Sequence, residues 1–131
     1  MATPVAYTKT AKSIGAGLAS TIEYKFVAKA ETGRAVTLGA ITGASVYSTD
    51  MVVSYIPSLP GMFSFAGTYA MDVISSLISA ILTSMFLSNA AGNGLTGDIS
   101  VKSLGKHFVY SFGATVAGSY AAPMITKFTG L

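Results

Sequence analysis

The feature that most constrains this chain is a long stretch almost without charge. Between residues 35 and 97 the charged side chains are Asp50 and Asp72 alone. Only 10% of the 131 residues are charged, whereas an ordinary soluble domain carries roughly 25%. The same low charge and high apolar content exclude a disordered chain. Such a stretch predicts helices that lie in lipid.

Three apolar segments are each long enough to cross a bilayer as a helix, which takes about 20 residues. They cover about residues 35–56, 66–88 and 107–128. Two prolines in the connection at 57–65 predict a tight hairpin, because proline prevents helix continuation. The sequence therefore predicts an all-α integral membrane protein whose three transmembrane helices form a domain at 35–131. The alternative is three buried helices of a soluble bundle. Helices of that kind are expected to show a charged stripe toward solvent, whereas the three segments of this chain carry small hydroxyl residues instead.

The N-terminal segment, residues 1–34, is basic and separate in character. Ile14, Leu18, Ile22 and Phe26 recur every four residues, which predicts an amphipathic helix within residues 10–30. Such a helix can lie in the headgroup region of a membrane, and it can equally pack on a protein partner by the same stripe. Both interpretations are open at this point.

The distribution of basic residues predicts an orientation, since cytoplasmic flanks are enriched in Lys and Arg. With three spans, the N-terminal segment and the 89–106 loop share one side and hold seven of the eight Lys and Arg residues, with Lys127 on the other. This split predicts the N-terminus inside and the C-terminus outside. The residues expected to face lipid headgroups are Lys9, Lys12, Lys25, Lys29 and Arg34.

Two acids fall inside predicted spans, where ionised carboxylates are costly and often mark function. Asp50 lies six residues before the end of the first span and Asp72 six residues after the start of the second. Each is then roughly 9 Å from the outer boundary, so both belong to one layer, which Lys127 could reach. This polar cluster of Asp50, Asp72 and Lys127 is either a proton or cation site, or a structural joint between helices.

Small residues at four-residue spacing predict close helix packing. Gly39 and Gly43 form a GxxxG pair, and the second span has a hydroxyl stripe at Ser75, Ser79 and Thr83. The third span has two ladders, formed by Gly113, Ala117 and Ala121 and by Ala114, Gly118 and Ala122.

The catalytic repertoire is thin. The chain has no cysteine and one histidine, His107, which we expect to be solvated at the inner membrane boundary. No phosphate-binding glycine loop or metal-ligand spacing is present, and the lysines are too few for a nucleic-acid surface. We therefore predict a non-enzyme that uses no cofactor or metal and binds no nucleic acid.

The segment GASVYSTDMVVSYIPSLPG is followed by AGTYAMDVISSLISAIL, with a basic amphipathic start and a third span rich in small residues. In layout, over about residues 35–128, this resembles the small multi-span virion proteins of large icosahedral DNA viruses. Proteins of that group sit in the internal membrane beneath the capsid and tie it to the shell as minor capsid components. The resemblance implies a structural subunit in a virion membrane, with lipid and other membrane or capsid proteins as partners.

Other functions are compatible with the same residues. Asp50 and Asp72 could serve an oligomeric pore of the viroporin or holin type, conducting protons or cations. Accessory membrane subunits of energy-transducing complexes share this style of sequence. A lipid-surface adaptor acting through residues 9–30 is a further candidate.

Overall fold

A computed structural model describes residues 9–130 of the chain. It contains four long helices: α1 (Lys9–Ile22), α2 (Thr32–Tyr55), α4 (Ala70–Ala90) and α5 (Val101–Thr129), with a single-turn α3 (Leu59–Met62). The described residues contain no strand, so the predicted all-α class is confirmed. The first eight residues of the predicted 1–34 segment, and Leu131, lie outside the described part.

Helix α1 does not end abruptly but widens into a π-helical turn at Glu23–Val27. The turn closes where Lys29 adopts a left-handed conformation with φ of 62°, and the Ala30 amide donates to the Tyr24 carbonyl at 2.9 Å. This places a lysine in the conformation that helix ends usually give to glycine. The reversal lets α2 begin at Thr32 and run back along α1.

The predicted hairpin between the first two spans is a compact, uncharged connection. Helix α2 ends at Tyr55, with Ile56 as its C-cap residue and Pro57 next. Helix α3 and a 3-10 segment at Ser64–Tyr69 then lead into α4. Gly67 takes φ of 60° there, a conformation that glycine adopts at little cost.

Helix α5 starts six residues before the predicted third span. Ser100 and Ser103 form a capping box, each side-chain oxygen accepting from the other residue's amide at 3.0–3.1 Å. Such a box satisfies two free amides at a helix start. The segment 101–106, expected to be loop, is therefore the first turns of the helix.

The four long helices run up, down, up and down around a common axis. Helix α1 contacts α2 and α5 along its length, and α4 contacts the same two helices from the opposite side. The connections at 28–31 and 91–100 meet at one end, which we call the loop end. The 56–69 connection, the start of α1 and the end of α5 meet at the other, which we call the hairpin end.

This arrangement corrects the prediction for the N-terminal helix. Helix α1 is a member of the bundle rather than an interfacial helix outside it, because its small residues pack inward: Ala11, Gly15, Ala16 and Ser20 are buried. The stripe on which the prediction was based faces outward, with Leu18 and Ile22 58% exposed and Phe26 67% exposed.

The interior of the bundle is polar and its surface is apolar. Among residues 9–130, fourteen polar or charged residues are buried against ten hydrophobic ones, six of which are alanine. Twenty-one large hydrophobic residues of the same part of the chain are exposed. This is the reverse of the usual distribution in water-soluble domains, where buried residues are mainly large and apolar.

One helical stretch among residues 9–130, Ser64–Ala90, is both long and apolar enough to cross a membrane, with mean hydropathy 1.8. By length and composition alone this is weak support for a membrane location, and the three-span prediction is not confirmed. Helices α2 and α5 have 24 and 29 residues, which is long enough, but glycine and hydroxyl residues lower their average hydropathy.

Candidate functional site: paired charges and a hydroxyl core

The two acids of the predicted spans are each paired with a lysine of α1 at the hairpin end. The Lys12 Nζ donates to Asp72 Oδ1 at 2.6 Å, and these side chains are 19% and 7% exposed. The Lys9 Nζ lies 3.3 Å from Asp50 Oδ2 in a far more open setting, 44% and 59% exposed, and 5.2 Å from the centre of the Tyr47 ring. One pair is therefore buried and the other lies at the surface.

These pairs change the predicted polar cluster. Asp50 and Asp72 do lie at one end of the bundle, as the depth argument predicted, but each is matched by its own lysine of α1. Lys127 lies 5.8 Å from the Phe128 ring, and neither ion pair includes it. The sequence signal for Lys12 was available: it stands one turn before Gly15 and Ala16, on the small-residue face that packs inward.

Two cavities flank Lys12. A cavity of about 430 Å³ is lined by Lys12, Asp72, Tyr69, Ser119 and Tyr120, among others. A smaller one of about 210 Å³ lies on the side of Asp50, Thr49 and Ser75. A water molecule takes about 30 Å³ in the liquid, so both cavities are large enough to hydrate the buried pair.

The middle of the bundle is held by a chain of hydroxyl groups that crosses all four long helices. Ser20 of α1 is 2.9 Å from Thr42 of α2, Thr42 is 3.1 Å from Ser79 of α4, and Ser79 is 2.8 Å from Ser111 of α5. Closer to the hairpin end, Thr49 and Ser75 make a further bond of 2.6 Å between α2 and α4. The predicted stripe of Ser75, Ser79 and Thr83 is buried along this axis.

The GxxxG pair of α2 makes its close contact within the chain. A Cβ at Gly39 would overlap the Thr21 hydroxyl and lie 2.6 Å from the Gly17 carbonyl, and a Cβ at Gly43 would lie 3.0 Å from the Ser13 carbonyl. The absence of side chains at these two glycines thus lets the backbones of α1 and α2 come into direct contact.

The two ladders of α5 face different ways. The ladder of Ala114, Gly118 and Ala122 is buried, and a Cβ at Gly15 would lie 3.0 Å from the Gly118 Cα. The ladder of Gly113, Ala117 and Ala121 faces outward, with the first two exposed and Ala121 half-buried. Within the bundle, Gly113 lies beside the Glu23 carboxylate, with its Cβ position 3.5 Å from Glu23 Oε2, and the ladder otherwise faces away from the other helices.

At the loop end, the single histidine is buried rather than solvated. The Tyr24 hydroxyl and His107 Nδ1 are 2.7 Å apart, and the Tyr24 ring also packs on Tyr110, with centroids 5.1 Å apart. His107 is 6% exposed. The prediction that His107 is solvated considered α5 alone, and it did not include Tyr24 and the end of α1, which cover the histidine.

The remaining basic residues lie around this end. Lys29, Arg34, Lys102 and Lys106 are exposed and Lys25 is half-buried. The Arg34 guanidinium lies 5.5 Å from the Phe86 ring near the end of α4. The predicted set of headgroup-facing residues is therefore divided: Lys9 and Lys12 are at the hairpin end, and Lys25, Lys29 and Arg34 are at the loop end.

This division changes the charge distribution on which the predicted orientation was based, and the orientation itself stays a prediction. The described start of α1 and end of α5 lie at the same end of the bundle, because Gly15 contacts Gly118 and Tyr24 contacts His107. The seven-to-one division of basic residues becomes five at the loop end against Lys9, Lys12 and Lys127 at the hairpin end.

Within residues 9–130, no group of three or more His, Asp or Glu side chains could hold a metal ion. Comparison with protein-family models, curated proteins and solved structures finds no significant match to this chain.

Proposed function

We propose that the chain is an integral membrane protein that crosses the bilayer as a bundle of four helices and acts as a small structural subunit of a larger assembly. The observation that carries the proposal is the reversed polarity of the bundle, with hydroxyl groups inside and large apolar side chains outside. In water this arrangement would expose apolar surface and bury polar groups, whereas in lipid both are favourable.

The bundle also accounts for the modest hydropathy of three of its helices. Helices α1, α2 and α5 turn glycine, serine and threonine inward, so their average hydropathy underestimates how apolar the outer face is. Most of the buried hydroxyls bond to each other or to backbone carbonyls, as in Thr42 with Ser79 and Ser76 with the Asp72 carbonyl. Four buried hydroxyls of the described residues have no such bond: those of Thr83, Ser84, Thr115 and Thr126. Polar groups within a membrane have to be satisfied in this internal way.

A membrane extraction experiment tests the location. We expect the chain to remain with membranes at alkaline pH in carbonate and to be released by detergent. Recovery as a monodisperse species in buffer without detergent or lipid would contradict the proposal, because the exposed apolar residues would then be compatible with water.

The structural role is supported by the way the polar groups are used. Asp50 and Asp72 are occupied by lysines, and the central hydroxyls link helices rather than line an open passage. The ladder of Gly113 and Ala117 is on the outer face, where small residues permit close approach of a neighbouring helix. The resemblance to virion membrane proteins makes the membrane beneath a capsid the first setting in which to look for such neighbours.

The assembly role can be tested at this outer ladder. Ala117→Ile should reduce crosslinking to neighbouring subunits in membranes and leave the stability of the bundle unchanged. Ala44→Ile is the matched control, since Ala44 is also an exposed alanine in a long helix. Equal crosslinking by both variants would contradict a role for this ladder.

A pore is the second candidate, favoured by the two cavities beside Lys12 and Asp72. A pore predicts proton or cation flux through liposomes containing the wild-type chain, and loss of flux in Asp72→Asn or Asp50→Asn. The structural proposal predicts no flux from the wild type.

A further inference from the structure

The five basic residues of the loop end have no acidic partner of the kind that Lys9 and Lys12 have. Among residues 9–130, the two ion pairs are those of Lys9 with Asp50 and Lys12 with Asp72, both at the hairpin end. The unpaired residues surround the opposite end: Lys25, Lys29, Arg34, Lys102 and Lys106. The loop end therefore has five basic residues outside any ion pair of the described residues, whereas at the hairpin end two of the three lysines are neutralised by aspartates.

The acids at the loop end offset only part of this charge. Asp98 accepts from the Asn93 side chain at 2.8 Å, within the loop before α5. Glu31 precedes α2 as its N-cap residue, without a side-chain capping bond. Glu23 is half-buried, beside Gly113 on α5. With three acids against five cations, the loop end keeps an excess of two positive charges.

Two helix starts add to the positive potential here. Helices α2 and α5 both begin at the loop end, and neither has an acidic residue in its first turn. Arg34 and Lys102 lie in those first turns instead. A helix start carries a partial positive charge and is stabilised by anions. Glu31 supplies one anion at the start of α2, and an anion outside the chain would further compensate Arg34 and Lys102.

We propose that the loop end binds the phosphates of anionic phospholipids through Lys25, Lys29, Arg34, Lys102 and Lys106. This inference rests on the proposed membrane location and specifies the leaflet that the bundle selects. Charge complementarity identifies the occupant, because a bundle embedded in a bilayer presents its end to headgroups at this level, and basic clusters at that level attract anionic lipid. Both described chain ends then lie on the opposite side of the membrane.

The test uses the full chain reconstituted in bilayers of phosphatidylcholine with phosphatidylglycerol. Electron paramagnetic resonance of spin-labelled lipids measures the preference of the protein for one headgroup over the other. We expect a preference for phosphatidylglycerol that weakens by up to about fivefold for each cation removed, the factor that corresponds to about 1 kcal/mol. Lys102→Gln combined with Lys106→Gln should therefore weaken it strongly.

The matched control removes the same charge from the hairpin end, with Lys9→Gln and Lys127→Gln. This variant should keep the wild-type preference, and an equal loss in both double variants would overturn the proposal. A salt titration of the wild-type chain gives an answer that does not depend on any variant folding. The preference should fall as salt rises, and a preference that persists unchanged at high salt would overturn it.

Two further outcomes separate this inference from the proposed function. A chain that resists carbonate extraction but shows no preference for phosphatidylglycerol overturns the lipid-binding inference alone, as would be expected if an acidic protein were the true partner. A chain that leaves the membrane in carbonate overturns the proposed location itself, and the inference with it.

Discussion

At the residue scale, the two lysine–aspartate pairs are similar in chemistry and different in setting. The Lys12–Asp72 pair is largely enclosed, and the Lys9–Asp50 pair is open. Removing one partner of a buried pair leaves an uncompensated charge and costs about 3–5 kcal/mol, whereas an exposed pair contributes about 0–1 kcal/mol. The two aspartates therefore provide an internal comparison.

We expect Asp72→Asn to lower the free energy of unfolding in detergent by about 3 kcal/mol or more, because the Lys12 ammonium loses its partner. Asp50→Asn should change it by less than about 1 kcal/mol. Denaturant unfolding followed by circular dichroism measures both. Replacing the buried pair together, with Lys12→Met and Asp72→Leu, should recover most of the loss, and failure to recover would contradict the reasoning.

The glycines of α2 provide a second comparison of single residues. Gly39→Ala should destabilise the bundle by about 1–3 kcal/mol, because the new methyl group would meet Gly17 and Thr21 of α1. Gly33→Ala is the control, since nothing lies within 4 Å of its Cβ position, and better helix propensity should stabilise it by up to about 1 kcal/mol. Thermal unfolding in detergent distinguishes them. Equal effects would show that α1 does not contact α2 at this glycine.

At the element scale, the helices themselves could be predicted well from the sequence. The spans expected at 35–56, 66–88 and 107–128 correspond to α2, α4 and α5, because long charge-poor segments have few other ways to satisfy their backbone. The packing of α1 could not be predicted from its large residues. Ile22 and Phe26 suggested the contact face, but in a bundle with a small-residue interior the large side chains point outward.

The candidate site was only partly predictable for the same reason. The shared layer of Asp50 and Asp72 followed from helix geometry, but their partners depended on where α1 packs. Lys127, at the right end of α5, was a reasonable partner in a three-helix arrangement. Once α1 is present, Lys9 and Lys12 are nearer.

The chain of hydroxyl groups that links the four long helices can be tested by a single substitution at Thr42. Thr42→Val keeps the shape of the side chain but removes the bonds to Ser20 and Ser79. Hydrogen bonds between membrane helices average about 0.6 kcal/mol, so a loss of about 1 kcal/mol is expected in the same unfolding assay. Thr37→Val is the control, because Thr37 is exposed and bonds only to the Gly33 carbonyl of its own helix. A similar loss in both variants would contradict the linking role of Thr42.

At the scale of the whole molecule, four helices and three helices make different topologies. Three spans place the start of α1 on the same side as the 91–100 connection, and four spans place it with the 56–69 connection. The chain has no native cysteine, so introduced cysteines report the side directly.

We expect Lys9→Cys and Phe65→Cys to be labelled by a membrane-impermeant reagent from the same side, and Leu95→Cys from the other. All three positions are exposed, so accessibility in detergent serves as the control. Labelling of Lys9→Cys together with Leu95→Cys would restore the three-span topology and contradict the four-span bundle.

The buried ion pair joins the first helix of the chain to a residue sixty positions later, and the Tyr24–His107 bond spans eighty-three. A ribosome therefore delivers Lys12 well before its counter-ion exists, and Tyr24 well before its histidine. Before α4 and α5 have emerged, α1 can pack on α2 through Gly17, but Lys12 lacks Asp72 and Gly15 lacks Gly118. The first of the described helices therefore completes its contacts only after the last of them has been synthesised.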